Sequence, residues 1–150
     1  MPPTLFERTV AQIRNPVLLL GRLLLGYIFL ESGFRKLFNM EGFVIGLTAR
    51  GVPWASFLAW VGTLFEFLGG IALVIGFQVR LGALVLVIFT IAATWIAHRY
   101  WQYGEAEYRG QRGQFFKNLA IIGGLLALFI SGGGRFGLDR WLRWPGRTQA

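Results

Sequence analysis

Four apolar runs, each near the length of a membrane span, leave this 150-residue chain few folds to choose from. They lie at about 16–37 (PVLLLGRLLLGYIFLESGFRKL), 53–77, 81–97 (LGALVLVIFTIAATWIA) and 115–131 (FFKNLAIIGGLLALFIS). A helix needs ~20 predominantly apolar residues to cross ~30 Å of hydrocarbon. Lipid admits only helices and closed barrels, because each backbone polar group must be satisfied within the protein. The runs do not alternate with period two, so barrel strands are excluded. Composition agrees: 55% of residues are hydrophobic and 15% charged, more apolar surface than a soluble domain of this length can hide. The expected fold is all-α, an integral membrane four-helix bundle.

The connections can be read as well. GFQVR (76–80) is a short turn, so the second and third spans form an antiparallel hairpin. Segment 39–53 is too short and too polar to span. Residues 41–50 within it are expected to form a short interfacial helix between the first and second transmembrane helices, stopped by Gly51 and Pro53. Segment 98–114 reads as a polar, mobile loop, and the glycines at 132–134 end the last helix. Phe6, Val10 and Ile13 share one side of the N-terminal stretch, which suits a segment lying on the membrane surface. Arg35 and Lys36 follow the first apolar run in place of a small-residue cleavage site, so that helix is expected to be retained. The chain is therefore divided into an interfacial segment 1–15, a four-helix domain 16–134 and a basic tail 135–150, with Trp101, Trp141 and Trp144 as interfacial anchors.

Charge and rare residues narrow the function. The absence of cysteine excludes disulfides and Cys-held iron–sulfur clusters, and a lone His98 excludes a His-rich metal site within one chain. No metal site is expected. The net charge of +8 comes from arginines beside apolar runs, a pattern of topology signalling and anionic headgroups rather than nucleic acid. An even number of crossings puts both termini on one side. Once Arg22, Arg35, Lys36 and Lys117 are set aside as possible site residues, that side is the more basic. This places the termini in the cytoplasm of a bacterial inner membrane.

Glu66 stands in the middle of the second run, where an unpaired carboxylate costs roughly 2.5–3.5 kcal/mol. Gly62, Gly69 and Gly76 recur at heptad spacing, and Glu66 lies about 40° from Gly62 on the same helix, so it points toward this packing stripe. On the first helix Arg22, Gly26, Phe29, Gly33 and Lys36 fall on one face. Counted from the ends of the runs, Arg22 lies about 9 Å and Glu66 about 16 Å from the terminal side. That makes Arg22–Glu66 the expected buried ion pair. Lys117, Gly124 and Ser131 share a face of the fourth helix. Lys36, His98, Lys117 and Asn118 are then expected to gather at the opposite mouth as a polar cleft. Each has a blander use: Arg22 and Glu66 as a helix clamp, Lys36 snorkelling, His98 as a helix cap, and Lys117 and Asn118 closing a helix turn. No residue is assigned a catalytic role.

The sequence resembles the DoxX family of small four-helix membrane proteins, which includes relatives of the DoxD subunit of thiosulfate:quinone oxidoreductase. The resemblance rests on GRLLLGYIFLESGFRK (21–36), RGVP (50–53), FEFLGGIALVIGFQVR (65–80), His98 with Trp101, FFKNLAIIGGLL (115–126) and SGGGRFGLDR (131–140), in that order. Glu31 departs from the family, which more often has His or a small polar residue there. The resemblance implies an accessory or quinone-interacting subunit of a membrane oxidoreductase, with other membrane subunits or a second copy as partners. Having no cysteine and one histidine, the chain would rely on bound quinone or a partner's cofactor to carry electrons. The competing reading is a non-enzymatic scaffold for a larger complex. A transport path is disfavoured, since four helices leave little room and no inverted repeat is evident.

Overall fold

Thr4 starts the first helix with a capping box: its hydroxyl accepts the Glu7 N–H at 3.2 Å, and the Glu7 carboxylate accepts the Thr4 N–H at 2.7 Å. The computed structural model describes residues 3–142. Helix α1 runs over Leu5–Phe38, α2 over Met40–Ala49, α3 over Ala55–Ile75, α4 over Val79–Ala97, α5 over Glu105–Ser131 and the short α6 over Leu138–Trp141. A single 3-10 turn at Tyr100–Gln102 joins α4 to α5. Four of these helices, α1, α3, α4 and α5, are long and apolar enough to cross a membrane, and α2 is the short helix expected after the first span.

Two boundaries differ from the sequence reading. Helix α1 continues through Pro16, so 5–15 is helical and joined to the span without a break. Proline removes one backbone donor and costs helix stability, but flanking turns on both sides carry the helix across it. Residues 105–114, read as a mobile loop, form the first turns of α5. Their polarity reports solvent and headgroups, while Glu, Ala, Gln and Arg all have good helix propensity; Glu105 and Glu107 also favour the positive N-terminal end. The tail beyond Leu142, including the expected anchor Trp144, lies outside the described residues.

The four long helices form a ring in which α1 packs on α3, α3 on α4, α4 on α5, and α5 more thinly on α1. The α1–α3 seam is the closest. A methyl group on Gly26 would lie 2.6 Å from the Val74 side chain, and one on Gly70 would lie 2.9 Å from the Leu30 backbone nitrogen. Backbones this near exclude any side chain, which is how small residues bring helices together in lipid. Gly33 meets Phe67 in the same seam, Gly69 faces Leu86 of α4, and Gly124 faces Leu25. The enclosed core is Phe29, Leu73, Ala83, Leu86, Leu125 and their neighbours. A smaller cluster of Leu47, Ala55 and Ala59 seats α2 on α3.

Candidate functional site

The α1–α3 seam sets which charges meet. Gly26 sits beside Gly70 and Val74, and Gly33 beside Phe67, so Arg22 is level with the C-terminal end of α3 and Lys36 lies beyond Glu66. Side chains on a helix lean toward its N-terminus. In this antiparallel pair Arg22 therefore leans away from Glu66, while Glu66 and Lys36 lean toward each other. The expected Arg22–Glu66 pair does not form. Glu66 is paired with Lys36, Nζ to Oε2 at 2.5 Å. The error was to measure depth from the ends of the apolar runs, because the register belongs to the glycine contacts.

Arg22 is 1% exposed and holds three carbonyl oxygens instead. Nη1 donates to Gly133 at 2.8 Å, and Nη2 donates to Phe136 at 2.6 Å and Val74 at 3.4 Å. The guanidinium thus closes the C-terminal end of α3 and ties the 132–137 loop to it, where the carbonyl end of a helix favours a cation. Gly76, in the left-handed conformation with φ +74°, leaves room for it, since a methyl there would sit 2.5 Å from Arg22 Nη1. Two further contacts fix this end: Asp139 accepts the Gln78 N–H at 2.8 Å at the start of α4, and Arg80 donates to the Ile130 carbonyl at 3.2 Å.

The opposite end is built differently. Glu66 is 4% exposed, its charge balanced by Lys36. The ammonium also lies 4.9 Å from the ring centre of Phe43 and 5.4 Å from that of Phe89. An ammonium has three donors, so with one on Glu66 two remain, facing aromatic surfaces. Beside it is a half-enclosed cavity of about 420 Å³, walled by Phe43 and Leu47 of α2, Val61 and Gly62 of α3, and Phe89 and Ala93 of α4. Arg50 and His98 stand on its lining as well. Gly62 helps to make the space: a methyl there would only reach ordinary contact, 3.5 Å from Phe89. Thr63, one residue on, is fully buried with no hydrogen-bond partner for its hydroxyl.

Of the expected cleft, then, Lys36 and His98 come together at one cavity. His98 Nδ1 lies 2.8 Å from Gln111 Oε1, which seats the ring against α5. Asn118 donates to the Thr94 hydroxyl at 2.8 Å and joins α5 to α4 behind the cavity wall. Lys117 is exposed and bonds to Gln114 on its own helix, so it is not part of the cleft. One helical step of about 100° separates it from Asn118, enough to turn it outward. The sequence reading missed Phe43, Phe89 and Arg50 as lining residues. Fourteen phenylalanines gave no signal for choosing two, and Arg50 is expected from the sequence only as the last residue of the short helix 41–50. Among the described residues, no group of three or more His, Asp or Glu is placed to hold a metal ion.

Comparison with known proteins identifies the relatives of the chain. The model of the DoxX family matches residues 17–99. The inner membrane protein YphA of Escherichia coli (strain K12) is 31% identical over 127 residues, 85% of this chain and 91% of the relative. The inner membrane protein YqjF of the same organism is 34% identical over 124 residues, 83% of this chain and 90% of the relative. The Surfeit locus protein 4 homolog of Schizosaccharomyces pombe is 34% identical over 120 residues, 73% of this chain but 39% of that longer protein. No solved structure matches the chain.

Proposed function

The chain belongs to the DoxX family, and from that premise we propose that it is an accessory subunit of a membrane redox system whose cavity beside Lys36 takes a quinone-class lipid. One observation carries the reading: a half-enclosed, mainly apolar cavity with an ammonium on its wall and donors to offer. Its volume of about 420 Å³ falls in the ordinary small-ligand range of roughly 300–1,000 Å³. Quinone, when bound, supplies the two-electron chemistry that the chain's own side chains lack. Lys36 is the residue to donate to a ring carbonyl, with Phe43 and Phe89 available against the ring. Glu66 holds the ammonium in place, and His98 stands on the lining with its ring seated against Gln111. Two relatives are named as inner membrane proteins, which supports placement in a bacterial inner membrane; the larger number of basic residues on the terminal side is the reason to put that side in the cytoplasm.

The test is purification in gentle detergent, followed by mass spectrometry of the co-purifying proteins and of the extracted lipids. Quinone and a redox partner are expected with the unaltered chain, and quinone is expected to be lost from Lys36→Met. Recovery of neither quinone nor any redox partner sinks the reading. The mutual neutralisation of Lys36 and Glu66 favours one alternative, a scaffold in which the pair only fixes helix register. Under that alternative Glu66→Gln still assembles into its complex and leaves the complex active.

A further inference from the structure

A second composite site lies on the face where the chain begins and ends, away from Lys36. An open cleft of about 870 Å³ has Gln12, Asn15, Pro16, Arg135 and Arg140 on its walls. Beside it runs a groove of about 560 Å³ along Ile75, Gly137 and Leu138, with no charged side chain on its lining. Phe136 and Trp141 line both, so the cationic cleft and the apolar groove share a wall. Among the described residues, no carboxylate lines either half. Asp139, the nearest acid in sequence, instead accepts the Gln78 N–H at the start of α4. Arg135 and Arg140 are exposed, and neither is in an ion pair among the described residues.

The backbone beneath these arginines is held in place. Arg22 ties down Gly133 and Phe136, and Asn15 Oδ1 accepts the Arg135 N–H at 2.9 Å. Ile75 ends α3 and Val79 begins α4, so the site stands where the helices leave hydrocarbon for the headgroup layer. Aromatic side chains such as Phe136 and Trp141 suit that boundary. A guanidinium fork matches phosphate oxygens, while the adjoining groove suits a hydrocarbon chain.

We propose that this site binds an anionic glycerophospholipid of the surrounding bilayer, with its phosphate between Arg135 and Arg140 and an acyl chain along Ile75 and Leu138. The pairing of two unlike halves is the argument, since a free anion would leave the groove unused and a zwitterionic lipid would bring its own cation beside the two arginines.

The full chain in mild detergent is mixed with equal amounts of phosphatidylglycerol and phosphatidylcholine of matched chains, and the retained lipid is read by native mass spectrometry. Phosphatidylglycerol is expected to be favoured by about tenfold, a few-fold per arginine near the headgroups. The double variant R135Q/R140Q removes the preference, whereas R109Q/R112Q at the start of α5 keeps it. L138N lowers retention of both lipids, and excess glycerol phosphate does not displace the lipid. Equal retention of the two lipids, or an unchanged preference in R135Q/R140Q, overturns the proposal. So does displacement by glycerol phosphate, which would mean an ion site without a chain groove. An unaltered melting temperature of R135Q/R140Q in lipid-free detergent separates loss of binding from loss of fold, and R140Q alone serves if the double variant is unstable.

Discussion

Helix α1 carries two inward-facing cations on one face, Arg22 near the terminal side and Lys36 near the other, and they are satisfied in opposite ways. Arg22 is enclosed by backbone carbonyls and a left-handed glycine, and the space around its fork is filled. Lys36 has one carboxylate partner, two aromatic rings and an open cavity. A guanidinium gathering carbonyls from three places is a fastener, because its planar fork fixes each of them in turn. An ammonium with unused donors beside a mostly apolar cavity is the group that the proposed function assigns to a ligand. Formal charge is alike at the two ends; what distinguishes them is space, since the one nitrogen of Arg22 without a partner among the described residues, Nε, is walled in by the fold, whereas the remaining donors of Lys36 border a cavity.

The largest effect should come from breaking the fastener. Arg22→Met leaves the carbonyls of Gly133, Val74 and Phe136 without their donor, and a loss of about 3–5 kcal/mol is expected. Thermal melting in detergent reads it, and Arg22→Lys should not restore the loss, since a point charge cannot span all three. Near-normal melting of Arg22→Met would erase the distinction between the two ends. Removing one member of the other pair should cost somewhat less, about 2–4 kcal/mol for Glu66→Leu, because Lys36 is partly exposed and can turn toward water. The double variant Lys36→Met/Glu66→Leu should melt within ~1 kcal/mol of the unaltered chain while losing whatever the cavity binds. A double variant as unstable as the single one would make the pair a fastener too.

Smaller effects sharpen the contrast. Gly70→Ala forces α1 and α3 apart against the Leu30 backbone, at a cost of roughly 1–3 kcal/mol. Gly62→Leu, on the cavity side of the same helix, fills space that is already open and should cost less than about 1.5 kcal/mol. It should still abolish quinone retention in the lipid-extraction assay. Smallest of all, Lys117→Ala should shift stability by under about 0.5 kcal/mol, as a surface change does, and leave quinone retention unchanged. A large effect of Lys117→Ala on quinone retention would return that residue to the site.

Much of this molecule could be read along the chain because lipid makes the reading one-dimensional. Each of the four long runs had to be a helix, and the stretch at 76–80 had to hold a reversal, which the structure completes at 76–78 before α4 begins at Val79. Of the glycine stripe on α3, Gly69 packs on Leu86 of α4, but Gly62 opens onto the cavity, and the glycine that meets α1 is Gly70, off the stripe. Boundaries were harder where lipid stops deciding: a polar stretch can be helix or loop, and 105–114 was helix. The inward turn of Glu66 followed from helical periodicity, but its partner did not. Lys36 and Arg22 lie on the same face of α1, fourteen positions apart, and both satisfied the angular argument.

By itself the sequence determined that the chain is a bundle of four membrane helices and that a carboxylate is turned inward. Those follow from backbone hydrogen bonding in lipid and from periodicity along a single helix. Only the tertiary structure decided that Glu66 belongs to Lys36, that Arg22 holds carbonyls, and that a cavity opens at one end. Pairing across a seam depends on axial register and side-chain tilt, which two glycine contacts between different helices set and no single helix contains.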